Sequence, residues 1–86
     1  MPYVEANDRV RLDAGENPAT AGELNYVLTR AIDSYLRRKG LSYANLNEAI
    51  GVLECAKLEL YRRVVAEYEN AKLLENQDVY SVLISS

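Results

Sequence analysis

The chain has 86 residues, with 13 acidic against 10 basic side chains, no histidine and one cysteine. That length gives one domain for which folding alone is marginal, and the mild acidity neither draws the chain to nucleic acid nor marks an acidic tail. A zinc site, a histidine acid/base pair and a disulfide framework have no basis in this composition.

A lone cysteine suits a reducing compartment. No apolar run approaches the length of a membrane span, and no charged-then-apolar leader opens the chain. The expectation is a soluble cytosolic protein, neither membrane-spanning nor exported. Seven tyrosines stand beside no Phe and no Trp. Tyrosine carries a hydroxyl that wants a partner when buried, which suits interfaces and ligand pockets, although small proteins also fluctuate in composition.

Met1 to Ala19 lacks periodicity and contains Gly15, Asn17 and Pro18. Residues 1–19 read as an extended arm, with at most a short turn near Ala6 to Arg11. Thr20 and Glu23 then fit a capping box and open a helix over 20–39. Its one face carries Leu24, Val27, Leu28, Ala31 and Tyr35; Tyr26, Arg30, Asp33 and Arg37 lie opposite. Arg37, Arg38 and Lys39 crowd the end, where the helix dipole favours cations, and Gly40 suits the position just past it. A solvated, dipole-matched end is a simpler account of that cluster than a phosphate site.

Ser42 and Asn45 are both candidate N-caps for a second helix over 45–75, with Glu48 three residues after Asn45. A connection this short predicts antiparallel neighbours, hence an all-α helical hairpin with one long second helix. At 100° per residue, Leu46, Ala49, Ile50, Leu53, Ala56, Leu60, Val64, Ala71 and Leu74 share a face, with Lys57 among them. Leu58 and Val65 widen that sector to roughly half the helix, against ~100° for an ordinary surface helix. A face this wide needs two neighbours, which predicts a homo-oligomer. Gly51 costs about 1 kcal/mol in mid-helix, and close approach of another backbone is the expected reason. Residues 76–86 read as a C-terminal arm, in which Val79 to Ile84 is β-prone and apolar enough to dock on a neighbour.

Asn47, Glu54, Tyr61, Tyr68 and Glu75 recur every seven residues and form a polar-aromatic stripe beside the apolar face. Tyrosine rings can stack on bases, while Lys57, Arg62 or Arg63 can meet phosphates. The same spacings also make ordinary helix-stabilising ion pairs, Glu54 with Lys57 and Glu59 with Arg63. Lys57 has three possible fates: snorkelling to water, pairing with a buried carboxylate, or meeting an anionic ligand. The candidate ligand-binding residues are Lys57, Tyr61 and Tyr68, with Glu54 orienting and Arg62 at the rim. Tyr26, Arg30 and Tyr43 join them from the first helix and the turn. No phosphate loop, nucleophile elbow or repeated acidic metal motif is present. Binding without a cofactor is therefore expected rather than catalysis, with no membrane and no duplex DNA as partner.

The strings Leu24-Asn25-Tyr26-Val27-Leu28-Thr29-Arg30, Ser42-Tyr43 with Asn47, Ile50-Gly51-Val52-Leu53-Glu54 with Lys57 and Glu59, Tyr61-Arg62-Arg63 and Tyr68-Glu69 have a family likeness. With Met1-Pro2-Tyr3-Val4 and the ending Glu75-Asn76, Asp78-Val79-Tyr80, they resemble a family of small uncharacterised proteins from tailed bacteriophages and prophages. Gln77 stands where that family usually has glycine, the residue that a tight left-handed turn before Asp78 calls for. Residues after Tyr80 look like an extension.

The resemblance implies a phage accessory protein in the cytoplasm of an infected bacterium. It leaves a short menu of jobs. The leading expectation is an oligomer that sequesters an anionic small molecule, such as a host immune signalling nucleotide. The alternatives are an adaptor or inhibitor of a host protein, and a structural or assembly accessory protein.

Overall fold

A computed structural model describes residues 4–77, 79 and 80. Among these residues the chain is all-helical. Helix α1 spans Ala6–Asp13 and α2 spans Ala21–Lys39. A third, long helix of 34 residues joins α3 (Tyr43–Leu60), a π-helical stretch (Tyr61–Val65) and α4 (Ala66–Asn76). The chain divides into two compact units, Met1–Ala49 and Ile50–Ser86.

The first unit departs from the sequence expectation at once. An extended arm over 1–19 with at most a short turn near Ala6 to Arg11 is expected, yet Ala6–Asp13 forms an eight-residue helix. Val10 and Leu12 are too close together to give a helical stripe, so periodicity misses this element. Polar contacts hold it instead. The Arg11 guanidinium reaches Asp8 and Glu16 at 2.9 Å and Glu23 of α2 at 3.0 Å. Arg9 Nε donates to the Val4 carbonyl at 2.9 Å. Leu12 and Val4 are buried, and so is Ala49 of α3.

The α2 capping box forms, with one shift. Thr20 Oγ1 accepts from the Glu23 N–H at 3.1 Å, and Glu23 reaches back to the Ala19 N–H at 2.8 Å. Asp8 and Glu23 sit in the first turns of their helices and Arg37, Arg38 and Lys39 in the last turn of α2, all matched to the helix dipole. Gly40 ends α2 at φ 102°, a conformation that costs glycine little. The two candidate caps of α3 divide the work. Ser42 Oγ accepts from the Asn45 N–H at 3.1 Å, while the Asn45 amide donates to the Lys39 and Gly40 carbonyls at 3.2 and 2.9 Å. Asn45 thus closes the preceding helix, and the third helix starts at Tyr43 rather than at Asn45. Glu48 serves no capping box; it accepts from the Tyr35 hydroxyl at 2.7 Å.

In the second unit the helix changes register. The Ala66 N–H bonds to the Tyr61 carbonyl, five residues back, so one turn takes up an extra residue. Beyond it every side chain is rotated by roughly 100° from where an uninterrupted α-helix would place it. The unit contains no buried residue among those described. Ile50 is 66% exposed, Leu60 58% and Val64 57%. Apart from its chain neighbours and the adjoining backbone of its own helix, no heavy atom of the described residues lies within 4 Å of a Cβ built on Gly51, so the close approach expected there is not made by them.

Helix α4 ends on Gln77 at φ 66°, ψ 149°, with its N–H on the Leu73 carbonyl at 2.8 Å. A positive φ therefore occurs where glycine would be favoured, and glutamine bears its steric cost. Of the arm expected over Val79 to Ile84, only Val79 and Tyr80 fall within the described residues, and both are exposed.

Candidate functional site

The eight sequence candidates fall in both units. In the first, Tyr26 and Arg30 converge on Asp13 at the end of α1: the Tyr26 hydroxyl donates to Asp13 at 2.9 Å and Arg30 Nε lies 3.4 Å from the same carboxylate. The half-buried Tyr26 phenol is pushed up in pKa, first by desolvation and then by its bond to Asp13. Both residues tie α2 to α1, which is a structural use. Arg30 also meets Asp33 at 3.4 Å. Tyr43, at the first position of α3, is 82% exposed.

In the second unit, Lys57 Nζ lies 3.4 Å from Glu54, and its side chain is 71% exposed. Within the chain it is a solvated i,i+3 pair. Arg62 meets Glu59 at 2.6 Å and Arg63 meets it at 3.4 Å. The expected seven-residue stripe does not continue to Tyr68. The Tyr61 hydroxyl donates to Glu69, eight residues on, at 3.1 Å. Eight residues across a π turn cover the angle that seven cover in an α-helix, so Glu69 takes the place the sequence assigned to Tyr68. The bond to Glu69 holds the Tyr61 phenol in its neutral form and raises its pKa.

The same rotation re-sorts the apolar face. Ala71 and Leu74 turn away from Leu53, Leu60 and Val64, and Leu74 is 89% exposed. Tyr68 turns towards that face, and Lys72 Nζ lies 5.6 Å from its ring centroid. The sequence carries no local signal for the π turn. Its β-branched pair Val64-Val65 is compatible with either helix.

Cys55, Leu58, Glu59, Tyr61 and Arg62 line an open cleft of about 450 Å³. A second open cleft, of about 420 Å³, lies against Glu69, Lys72, Leu73 and Tyr80. Among the described residues no group of three or more His, Cys, Asp or Glu side chains is placed to hold a metal ion, and no helix is long and apolar enough to cross a membrane.

These features define a small all-helical protein whose long helix carries an uncovered apolar face edged by paired charges. The chain belongs to a family described as a domain of unknown function (DUF6899), whose model matches residues 1–79. No curated protein and no solved structure matches it.

Proposed function

We propose that the protein is a non-catalytic binding module that assembles as a homo-oligomer through the apolar face of its long helix and binds a protein partner in that form. The observation that carries this reading is the face of Ile50, Leu53, Leu60 and Val64, 39–66% exposed, in a unit with no buried residue among those described. Exposed apolar side chains in such a row mark an interaction surface. In the setting suggested by the phage-family resemblance, the module is an accessory protein in the cytoplasm of an infected bacterium, acting as an adaptor or inhibitor. The antiparallel hairpin of α2 and α3 belongs to the same proposal and is supported by the Tyr35–Glu48 bond at 2.7 Å.

Sequestration of an anionic small molecule, such as a signalling nucleotide, is the second reading. One observation favours it: the Lys57–Glu54 pair is exposed and 3.4 Å long, so an anion can replace the carboxylate at small cost. Against it, Arg62 and Arg63 are both occupied by Glu59.

Sedimentation equilibrium at micromolar concentration tests the first reading, and a cooperative monomer would sink it. Thermal shift against cyclic and linear nucleotides tests the second. A ligand at a hundredfold excess over Kd should add about 2.7 kcal/mol of stability, and the Lys57→Met variant should lose that gain while folding normally. No shift with any nucleotide removes sequestration.

A further inference from the structure

The edge of the long helix holds a strip that is complementary to itself only when reversed. Ile50, Glu54, Lys57 and Tyr61 are spaced by four, three and four residues, so they lie in one row. The spacing reads the same in both directions. The chemistry runs apolar, acid, base, apolar. All four are uncovered: Ile50 is 66% and Tyr61 52% exposed, and the Glu54 and Lys57 side chains are 56% and 71% exposed.

The geometry points to a second copy of this chain as the occupant of that face, packed antiparallel about a two-fold axis between Cys55 and Ala56. This rests on the self-association proposed above and adds its direction, its register and the residue the partner contributes. In a parallel pair each side chain meets its own copy, which sets Lys57 against Lys57 and Glu54 against Glu54. Reversal places Lys57 against Glu54 of the partner subunit, and Ile50 against Tyr61 of the partner subunit. An isologous two-fold contact requires such a self-complementary patch. The four charges then form a closed cluster, with Leu53 and Leu60 beside it supplying apolar area. The second unit, Ile50–Ser86, is also below the ~40 residues at which a domain usually needs an oligomer, metal or disulfide to hold it together.

The test uses the full-length chain. Glu54→Lys and Lys57→Glu, each alone, should raise the dimer Kd at least tenfold, because each leaves four like charges at the contact. An equimolar mixture of the two variants, and the double variant Glu54→Lys/Lys57→Glu, should recover dimerisation. Far-UV circular dichroism establishes that each single variant remains helical. For direction, Ile50→Cys and Tyr61→Cys chains are made in a Cys55→Ser background. Mixed, they should form inter-chain disulfides between positions 50 and 61. Self-crosslinking at position 50, or charge reversals that leave Kd unchanged, would overturn this pairing while leaving self-association standing. A wild-type monomer would overturn both.

Discussion

The two units of this chain are held by different kinds of contact. In the first, side chains far apart in sequence meet: Arg11 with Glu23, Tyr26 with Asp13 and Tyr35 with Glu48, spanning 12 or 13 residues. Val4, Leu12 and Ala49 are buried there. In the second, the bonds Arg62–Glu59, Arg63–Glu59 and Tyr61–Glu69 span three, four and eight residues along one helix, and no described residue is buried. Contacts within one helix stabilise it by tenths of a kcal/mol each, and isolated helices are marginal in water. Among the described residues, the first unit therefore carries tertiary contacts between helices, whereas the second exposes a row of apolar side chains along one helix.

The largest effect should follow from removing a buried side chain. Leu12 is 6% exposed, so Leu12→Ala should cost about 2–5 kcal/mol. Because the contact is internal to the chain, that loss should be the same at every protein concentration. Leu60, at 58% exposure, gives the contrasting case. Leu60→Ala should cost little in dilute solution and progressively more as the protein concentration rises and subunits associate. Chemical denaturation at two concentrations a hundredfold apart measures both. A Leu60→Ala cost independent of concentration would show that the face is used within one chain.

Substitutions along the second unit sharpen the contrast. Beyond the adjoining turns of its own helix, no described residue lies within 4 Å of a Cβ at Gly51, so Gly51→Ala should stabilise the helix by about 1 kcal/mol. If another subunit's backbone approaches there, the same change should weaken association instead, and thermal melting read beside sedimentation separates the two. At the far end, Gln77 holds φ 66°. Gln77→Gly should relieve that strain and stabilise the end of α4 by up to about 1 kcal/mol, seen as slower amide exchange over the last turn. Faster exchange would mean that glutamine contributes a contact worth more than its backbone cost.

How much of this was legible in the sequence depends on the physical signal. The capping box at Thr20 and Glu23, the end of α2 at Gly40 and the all-α class follow from local rules that act within one turn. Helix α1 escaped because Leu12 has no periodic partner and Arg11 bridges residues from Asp8 to Glu23. The site was read less well for a related reason. A heptad stripe assumes constant pitch, and the π turn at Tyr61–Val65 changes it. Tyr61, Glu54 and Lys57 keep their relation, while Tyr68 and Leu74 exchange places relative to the apolar face.

The smallest expected effect distinguishes the units by their tyrosines. Tyr35 donates to Glu48 at 2.7 Å and Tyr61 to Glu69 at 3.1 Å. Each phenol is raised above its usual pKa near 10, chiefly by that carboxylate bond. A raised folded-state value favours the neutral phenol in the native protein. Its contribution to stability is complete below about pH 10 and is lost as pH climbs through the folded-state value. Both side chains are exposed, so the slope should be shallow. The Tyr35 bond spans 13 residues from α2 to α3, whereas the Tyr61 bond bridges one π turn. Tyr35→Phe should therefore flatten the alkaline fall in global stability more than Tyr61→Phe does. Stability followed from neutral pH to pH values above 10 in both variants measures this. An equal change in both would mean that the ends of α2 and α3 are tied no more firmly than the π turn itself.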